Sequence, residues 1–293
     1  MQHHKTTPLN PYFGIEVHDY DLRNAAHDDT EFAQLRDAFE RHTALLFRAQ
    51  DFSDADHLAL ARSFGPLENR DADTLEEGDA FEIPQVSNET SDGGVTGVMD
   101  MHTLNLKANF LWHTDSIFLP VPALVNILIG RVVTETGGQT ELASTRAAWA
   151  AMPDDIKHRL QEATLWHKLS HSRTQISPEL AALSMFHKWD DQHWKALWRN
   201  PVTGEDALYF ASHTFKVDGL SEAESKILLG QAMAFCTQKK FTYSHQWREG
   251  DILIWDERAA LHRGQPWDYS QPRTLSSICT SATELDGVDS IRV

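Results

Sequence analysis

The sequence has few cysteines, no long apolar run and a shortage of basic residues, and each of these absences excludes a class of protein. Its two cysteines, Cys236 and Cys279, form no Cys-x-x-Cys pair. They therefore predict neither a disulfide framework nor a cysteine-based zinc site, and they fit a reducing compartment. No stretch reaches the roughly 18 apolar residues of a membrane span, and the first residues contain no apolar signal segment. We expect a cytoplasmic protein with no membrane partner.

Charge is the second shortage. The chain has 26 Lys and Arg residues against 43 Asp and Glu residues, a formal net charge of −17. A molecule this acidic is a poor general partner for nucleic acid or for an anionic membrane surface. An anionic ligand would need a local positive site. The rest of the composition is that of a globular protein, and 293 residues are enough for a sizeable core.

Apolar periodicity and turn residues predict helices early in the chain and on its flanks, and several strands late in the chain. Ser53 with Asp56, and Ser221 with Glu224, have the spacing of helix N-terminal caps. No internal repeat and no linker are visible, so we expect one domain over residues 1–293. The fold class that this pattern predicts is mainly β with flanking helices, built on a β-sandwich or jelly-roll core. The predicted strands include an edge strand near residues 14–17 and strands at 44–47, 123–133, 206–212, 241–247, 251–255 and 273–280.

Two segments stand apart from this pattern. Residues 68–105 are acidic and contain Gly93, Gly94 and Gly97, which predicts a long loop that could act as a lid over a site. Residues 166–200 are rich in tryptophan and histidine. They are either an insertion packed on the core with exposed histidines, or a segment whose rings line a substrate pocket.

The residues around His113 carry the clearest chemical signal. His113 and Asp115 lie in the apolar sequence Asn109-Phe110-Leu111-Trp112-His113-Thr114-Asp115-Ser116-Ile117-Phe118. We expect an extended strand here, in which side chains at i and i+2 point to the same face. The pair is either an ordinary hydrogen-bonded pair or two ligands of a metal that needs a third. Two histidines and one carboxylate form the facial triad of non-haem Fe(II) oxygenases.

Further motifs follow in order along the chain, and together they resemble the taurine / 2,4-dichlorophenoxyacetate dioxygenase family of Fe(II)- and 2-oxoglutarate-dependent oxygenases. The likeness covers nearly the whole chain and is strongest to the phenoxyacetate branch. It implies a double-stranded β-helix (jelly-roll) core. The matching pieces are Trp112-His113-Thr114-Asp115, Gly137-Gly138-Gln139-Thr140, Trp255-Asp256-Glu257-Arg258, Leu261-His262-Arg263 and Arg273, with Phe64-Gly65-Pro66-Leu67-Glu68 and Ser87-Asn88.

The resemblance implies roles for five of these residues. His113, Asp115 and His262 would hold Fe(II), with 2-oxoglutarate in two of the open positions and O2 in the third. Arg273 would bind the far carboxylate of 2-oxoglutarate, since a planar guanidinium matches a planar carboxylate. Thr140 would add a hydrogen bond to that carboxylate. The alternative for Arg273 is a surface ion pair.

The resemblance also suggests substrate residues. Asn109 and His213 match positions on the substrate side of relatives; the alternatives are a loop-capping side chain and an interior hydrogen-bonded histidine. Relatives that take sulfonates often carry a second arginine where this chain has Ser277. A taurine-like substrate is therefore not expected. An aryloxyalkanoate would need its anion held elsewhere, and His213, Arg173 and Lys107 are the candidates.

The predicted activity is hydroxylation of an unactivated C–H bond of a small organic acid, with release of succinate and CO2. If the hydroxylated carbon bears an ether oxygen, as in an aryloxyalkanoate, the ether is cleaved. One alternative is a zinc hydrolase that uses the same three ligands, although it would not need Arg273 or Thr140. Another is a non-catalytic jelly-roll binding protein. We expect a homo-oligomer.

Overall fold

The computed structural model describes residues 4–68, 81–97 and 101–293. Within these ranges the chain forms strands and helices in mixed order. The strands are β1 (Thr6–Asn10), β2 (Phe13–Val17), β3 (Ala44–Phe47), β4 (Gln85–Ser87), β5 (Ala123–Val132), β6 (Thr140–Ser144), β7 (Thr164–His167), β8 (Gln192–Lys195), β9 (Leu197–Arg199), β10 (Asp206–Leu208), β11 (Thr214–Val217), β12 (Thr242–His245), β13 (Ile252–Asp256), β14 (Ala260–Gly264) and β15 (Thr274–Ser281). The helices are α1 (Arg23–His27), α2 (Asp29–His42), α3 (Asp54–Phe64), α4 (Met101–Lys107), α5 (Thr145–Ala150), α6 (Asp154–Leu160), α7 (Leu169–Thr174), α8 (Pro178–Ala181) and α9 (Glu222–Cys236).

A seven-stranded sheet forms the larger wall of the fold. Its order is β1-β2-β3-β13-β5-β15-β4, and every neighbouring pair is antiparallel except β2 and β3. A three-stranded sheet, β12-β6-β14, forms the smaller wall, and the small sheets β11-β7-β8 and β10-β9 lie on the flank. This is the predicted fold: mainly β with flanking helices and a jelly-roll core.

Both faces of the central strands of the seven-stranded sheet are buried, whereas the edge strands β1 and β4 are partly exposed. Leu45 and Phe47 belong to an outer apolar cluster with Leu35 and Phe39 of α2. The alternate residue Leu46 belongs to an inner cluster, which contains Leu128 and Trp255 of the same sheet and Leu142 of the smaller sheet. Because helices cover one face and the second sheet covers the other, the central strands β3, β13 and β5 are mostly apolar instead of alternating with polar residues.

The predicted helix starts are confirmed. Ser53 caps α3: its hydroxyl accepts from the backbone N–H of Asp56, whose carboxylate accepts from the backbone N–H of Ser53. Ser221 and Glu224 form the same reciprocal pair at α9. Each pair satisfies two backbone donors that the first turn leaves without a partner.

Two strand predictions are too long. The strand predicted at 206–212 is β10, Asp206–Leu208, and the one predicted at 241–247 is β12, Thr242–His245. In both, the predicted apolar pattern continues beyond the last residue that has a strand partner. An apolar pattern shows which residues are buried, and in both places the buried residues continue past the last residue that is hydrogen-bonded to a neighbouring strand.

The prediction of an extended strand through His113 and Asp115 is wrong. His113 forms an isolated antiparallel bridge with His262, and the chain then turns. Ser116 has φ of 58°, in the left-handed region that L-residues rarely adopt. The backbone N–H of Asp115 donates to the Glu257 carboxylate at 2.8 Å instead of to a neighbouring strand.

The predicted lid at 68–105 is described only in part, whereas the aromatic-rich segment at 166–200 is described throughout. The lid predicted at 68–105 includes residues 69–80 and 98–100, which lie outside the described residues; between them β4 pairs with β15 at the edge of the large sheet. Residues 166–200 form the end of β7, then α7, α8, β8 and β9, and they pack through the buried rings of Trp194 and Trp198. In the part of the chain that the structure describes, no helix has the length and apolar character of a membrane-spanning helix.

Candidate active site

A cavity of about 1020 Å³ lies between the two facing sheets. On the large sheet its walls come from alternate, inward-facing residues of β5, β13 and β15, and on the small sheet from β6 and β14. Residues 81–86 and the segment before His113 close the other sides. The residues that line the cavity include Asn109, Phe110, His113, Asp115, Asn126, Thr140, His262, Trp267, Arg273, Ser277 and Cys279.

His113, Asp115 and His262 meet in this cavity. One donor atom from each residue lies within 4.8 Å of the others. His262 Nε2 is 3.8 Å from Asp115 Oδ2, and the ring centroids of His113 and His262 are 4.0 Å apart. The predicted ligand set is therefore brought together, and its spacing fits one divalent metal ion with two imidazole ligands and one carboxylate ligand.

Neighbouring groups orient two of these side chains. His113 Nδ1 lies 2.7 Å from the carbonyl oxygen of Leu111. Because a carbonyl only accepts, Nδ1 carries the proton and Nε2 carries the lone pair that a metal requires. The amide of Asn126 donates to Asp115 Oδ2 at 2.9 Å, and the thiol of Cys279 lies 3.4 Å from the same oxygen. These contacts fix the direction of the carboxylate.

Glu257 lies behind the three candidate ligands and is almost fully buried, with 1% exposure. Its Oε2 accepts from the Thr114 hydroxyl at 2.6 Å and from the Asp115 backbone N–H at 2.8 Å. Burial, and then the nearby Asp115 carboxylate, raise the pKa of Glu257 well above its ordinary value. A positive charge at the candidate metal site would oppose this shift.

Arg273 is the buried cation of the cavity. Its Nη2 donates to the carbonyl of Gly138 at 2.7 Å, and its guanidinium carbon lies 4.8 Å from the centre of the Trp267 ring. Its backbone N–H donates to the Asn88 side chain at 2.8 Å. Burial lowers the pKa of Arg273 to about 10. No carboxylate of the described residues forms an ion pair with it, so this guanidinium is suited to an anionic ligand.

Gly138 and Thr140 complete the surroundings of Arg273. Gly138 has φ of 65°, and a Cβ added there would lie 2.8 Å from Arg273 Nε. Glycine is therefore needed both for the turn and for the close approach of the guanidinium. Thr140 Oγ1 accepts from the indole N–H of Trp247 at 3.0 Å, which leaves its hydroxyl proton to be donated into the cavity.

The predicted substrate residues lie in different places. Asn109 lines the cavity, whereas His213 does not. The His213 ring is buried beside His113, with centroids 6.2 Å apart, and 4.9 Å from the ring of Phe118. Ser277 lines the cavity and donates to Asn126 Oδ1 at 3.0 Å, so it belongs to the hydrogen bonds that reach Asp115. Arg173 donates to Asn105 at 3.1 Å and does not line the cavity.

Comparison with known proteins decides the family. The model of the family described as "Taurine catabolism dioxygenase TauD, TfdA family" matches residues 5–279. The chain belongs to this family. The resemblance inferred from the sequence motifs is therefore confirmed. As a member of the TauD/TfdA family, the protein is an oxidoreductase, a 2-oxoglutarate-dependent dioxygenase that acts on a small molecule with O2 as co-substrate.

Individual relatives of the TauD/TfdA family cover almost the whole chain. It is 33% identical over 282 residues to an alpha-ketoglutarate-dependent 2,4-dichlorophenoxyacetate dioxygenase of Cupriavidus pinatubonensis, covering 95% of this chain and 96% of the relative. It is 32% identical over 276 residues to an (S)-phenoxypropionate/alpha-ketoglutarate-dioxygenase of Sphingobium herbicidovorans, covering 92% and 91%. The crystal structure of AAD-2 in complex with Mn(II) and N-oxalylglycine superposes with a TM-score of 0.86 at 31% identity, covering 95% of this chain and 98% of that one.

Sequence reasoning did not assign a role to Glu257, Asn126 or Cys279 at this TauD/TfdA-type site. For Asn126 a signal exists, because it is an amide inside the apolar run Ala123–Val132. A polar residue inside a strand buried on both faces needs a polar partner. Glu257 and Cys279 give no comparable signal, since their contacts arise only when β13, β14 and β15 assemble around the segment that contains Asp115.

Proposed function

We propose that the protein is an Fe(II)-dependent member of its family that hydroxylates an unactivated C–H bond of a small organic acid. His113, Asp115 and His262 hold the iron, and Arg273 with Thr140 holds the far carboxylate of 2-oxoglutarate. One observation carries this proposal: a buried arginine with no carboxylate partner among the described residues shares a cavity with two histidines and an aspartate. A zinc hydrolase has no use for that arginine.

The residues of the cavity fit both Fe(II) and 2-oxoglutarate. The lone-pair nitrogen of His113 is set by the Leu111 carbonyl, and the Asp115 carboxylate is held by Asn126. When bound, the iron with 2-oxoglutarate and O2 supplies the oxidising power for hydroxylation and releases succinate and CO2. The protein binds and orients both substrates and holds the reacting C–H bond inside the cavity.

We propose an aryloxyalkanoate as the substrate. Several side chains of the cavity wall are apolar or aromatic, and they suit an aryl ring: Phe81, Ile83, Val86, Leu106, Phe110 and Leu275. The names of the two relatives above describe chlorinated phenoxyacetate and phenoxypropionate as substrates. Hydroxylation of the carbon next to the ether oxygen gives a hemiacetal, which collapses to a phenol and a 2-oxoacid.

We propose that Asn109 contacts the substrate, because Asn109 lines the same cavity as His113. His213 remains a predicted substrate residue. Because its buried ring lies beside the His113 ring, we expect a substitution at His213 to disturb the position of His113 as well as the substrate. The hydroxyl of Ser277 donates to Asn126, so this position offers no positive charge and no arginine-like clamp to a sulfonate. We therefore expect carboxylates to be preferred over alkylsulfonates.

The test is substrate-dependent succinate release with Fe(II), 2-oxoglutarate and O2. The panel contains aryloxyalkanoates, alkylsulfonates and amino-acid derivatives. We expect at least one aryloxyalkanoate to give succinate and a phenol in equal amounts. Succinate release with alkylsulfonates or amino-acid derivatives but with no aryloxyalkanoate would contradict the proposed substrate class. No 2-oxoglutarate consumption with any compound, together with metal-dependent hydrolysis, would favour a hydrolase.

We also propose that residues 1–293 form one catalytic domain that acts in the cytoplasm as a homo-oligomer. Cys236 and Cys279 are both thiols, which supports a reducing compartment. Sedimentation of the purified protein measures the oligomeric state directly, and a monomer at micromolar concentration would contradict that part of the proposal.

A further inference from the structure

We propose that Glu257 is a positioning residue that joins the two separate halves of the metal site and strengthens metal binding through His262. The inference rests on the proposed metal ligands His113, Asp115 and His262. One half of the site is the turn that contains His113 and Asp115, and the other half is β14, which contains His262.

Two donors of the first half, the Thr114 hydroxyl and the Asp115 backbone N–H, attach Glu257 to it. The Thr114 hydroxyl lies 2.6 Å from the carbonyl oxygen of Glu257 and 2.6 Å from its Oε2. The Asp115 backbone N–H donates to the same Oε2 at 2.8 Å. Thr114 has 1% exposure, so these contacts are shielded from water. Together these contacts hold the backbone at Thr114 and Asp115 in place, and with it the Asp115 carboxylate.

Glu257 also faces the second half. Its Oε2 lies 3.7 Å from His262 Nδ1, the nitrogen opposite the one that faces Asp115. This separation is longer than a hydrogen bond, so the carboxylate acts on the ring by its charge: it makes the nitrogen that would bind the metal more basic. The two histidines therefore differ, because His113 Nδ1 faces a neutral carbonyl and His262 Nδ1 faces a carboxylate.

The charges around Glu257 support the proposal that a bound cation balances its carboxylate. The adjacent Arg258 does not neutralise it, since the Arg258 guanidinium pairs with Asp256 and Glu40. No lysine or arginine of the described residues forms an ion pair with Glu257. A buried carboxylate without a lysine or arginine partner lowers the stability of the folded protein. A divalent ion held by Asp115 and His262 would supply the missing positive charge.

The experiment measures Mn(II) binding by titration calorimetry, without turnover. Glu257→Gln keeps the size of the side chain and an acceptor oxygen for Thr114 and Asp115, but it removes the carboxylate that faces His262. Removing a carboxylate that is hydrogen-bonded to a ligating histidine weakens metal binding by roughly 10- to 100-fold, and across this longer separation we expect the lower end, about 10-fold. We expect that loss in a variant whose metal-free melting temperature stays close to the wild-type value.

Thr114 gives a second, independent pair of variants. Thr114→Val removes the hydroxyl that anchors the Glu257 carboxylate, and Thr114→Ser keeps it. We expect Thr114→Val to bind Mn(II) several-fold more weakly and Thr114→Ser to bind it like the wild type. If Glu257→Gln does not fold, this pair decides: equal affinity of Thr114→Val and Thr114→Ser would overturn the proposal.

Glu141→Gln is the matched control. It removes a carboxylate from the neighbouring strand, where Glu141 pairs with Arg263, and it should leave Mn(II) affinity unchanged. Mn(II) affinity within twofold of wild type in folded Glu257→Gln would overturn the role of Glu257. Unchanged affinity in His113→Ala would instead overturn the metal site itself, so the two failures are distinguishable.

Discussion

His113 and His262 are joined through their backbones as well as through the site they share. His113 N–H donates to the His262 carbonyl at 2.9 Å, and His262 N–H donates to the His113 carbonyl at 2.6 Å. This isolated bridge fixes the spacing of the two imidazoles without any contribution from the rings. Side-chain truncation therefore removes a ligand and leaves the backbone frame in place.

The first prediction concerns the three ligands. His113→Ala, Asp115→Ala and His262→Ala should each remain folded and lose Fe(II)-dependent succinate release, because each leaves only two protein ligands. Asp115→Glu should keep weak activity, since the carboxylate survives but is displaced by one methylene. His193→Ala, which removes an exposed histidine on β8, is the control and should retain full activity. Near-normal turnover by one of the three alanine variants would remove that residue from the ligand set.

The second prediction concerns Arg273. Hydrogen bonds to a charged group contribute roughly 1.5–3 kcal/mol each, and each 1.4 kcal/mol is about a factor of ten in affinity. Arg273→Ala should therefore weaken 2-oxoglutarate binding on the order of a hundredfold or more. Arg273→Lys keeps the charge but loses the planar fork, so its affinity should lie between wild type and Arg273→Ala.

The specificity of the Arg273 effect can be checked with a smaller oxoacid. Pyruvate lacks the distal carboxylate, so Arg273→Ala should change its affinity far less than that of 2-oxoglutarate. Mn(II) affinity should stay unchanged, because Arg273 is not a ligand. Equal 2-oxoglutarate affinity in wild type and Arg273→Ala would contradict both the role of Arg273 and the proposed cofactor site.

The third prediction compares two glycines that share a left-handed backbone. Gly138 and Gly204 have φ of 65° and 73°, but a Cβ at Gly204 meets no atom within 4 Å, whereas one at Gly138 reaches Arg273. Alanine at either position costs about 1–2 kcal/mol of stability from the backbone alone. Gly138→Ala should in addition weaken 2-oxoglutarate binding, and Gly204→Ala should not. Equal affinities in the two variants would show that the approach of Gly138 to Arg273 does not matter for binding.

The fourth prediction concerns the predicted lid and the aromatic-rich segment. Residues 81–86 line the cavity, so their amides should exchange hydrogen more slowly once 2-oxoglutarate and a substrate are bound. If rings of residues 166–200 also cover the site, that segment should gain protection as well. The outer helix α9 serves as the internal reference. Unchanged exchange in both segments would identify them as ordinary surface structure.

The predictions that hold from sequence are those whose physical cause is local. The caps at Ser53 and Ser221 follow from hydrogen bonds within four residues of each other. The buried strand β5 follows from a long, mainly apolar run, and the order of the motifs around His113, Gly138 and His262 fixes the family.

The predictions that fail depend on distant contacts. The turn after Asp115 exists because Glu257 accepts the Asp115 N–H, and these residues are far apart in the chain. No local pattern announces the left-handed Ser116 that follows. Likewise, the inward row of Asn126 and Cys279 beside Asp115 appears only once β5 and β15 are paired, with Asn126 opposite Cys279.

The bridge between His113 and His262 also has a thermodynamic consequence. It connects a turn from the middle of the chain to a strand near its end, so an ion bound there acts as a removable cross-link between distant parts of the sequence. A ligand that binds only the folded state stabilises it by about 2.7 kcal/mol at one hundred times its dissociation constant. The melting temperature should therefore rise with metal concentration. A chelator would then lower it, so that metal supply sets how long the folded enzyme persists as well as how fast it turns over.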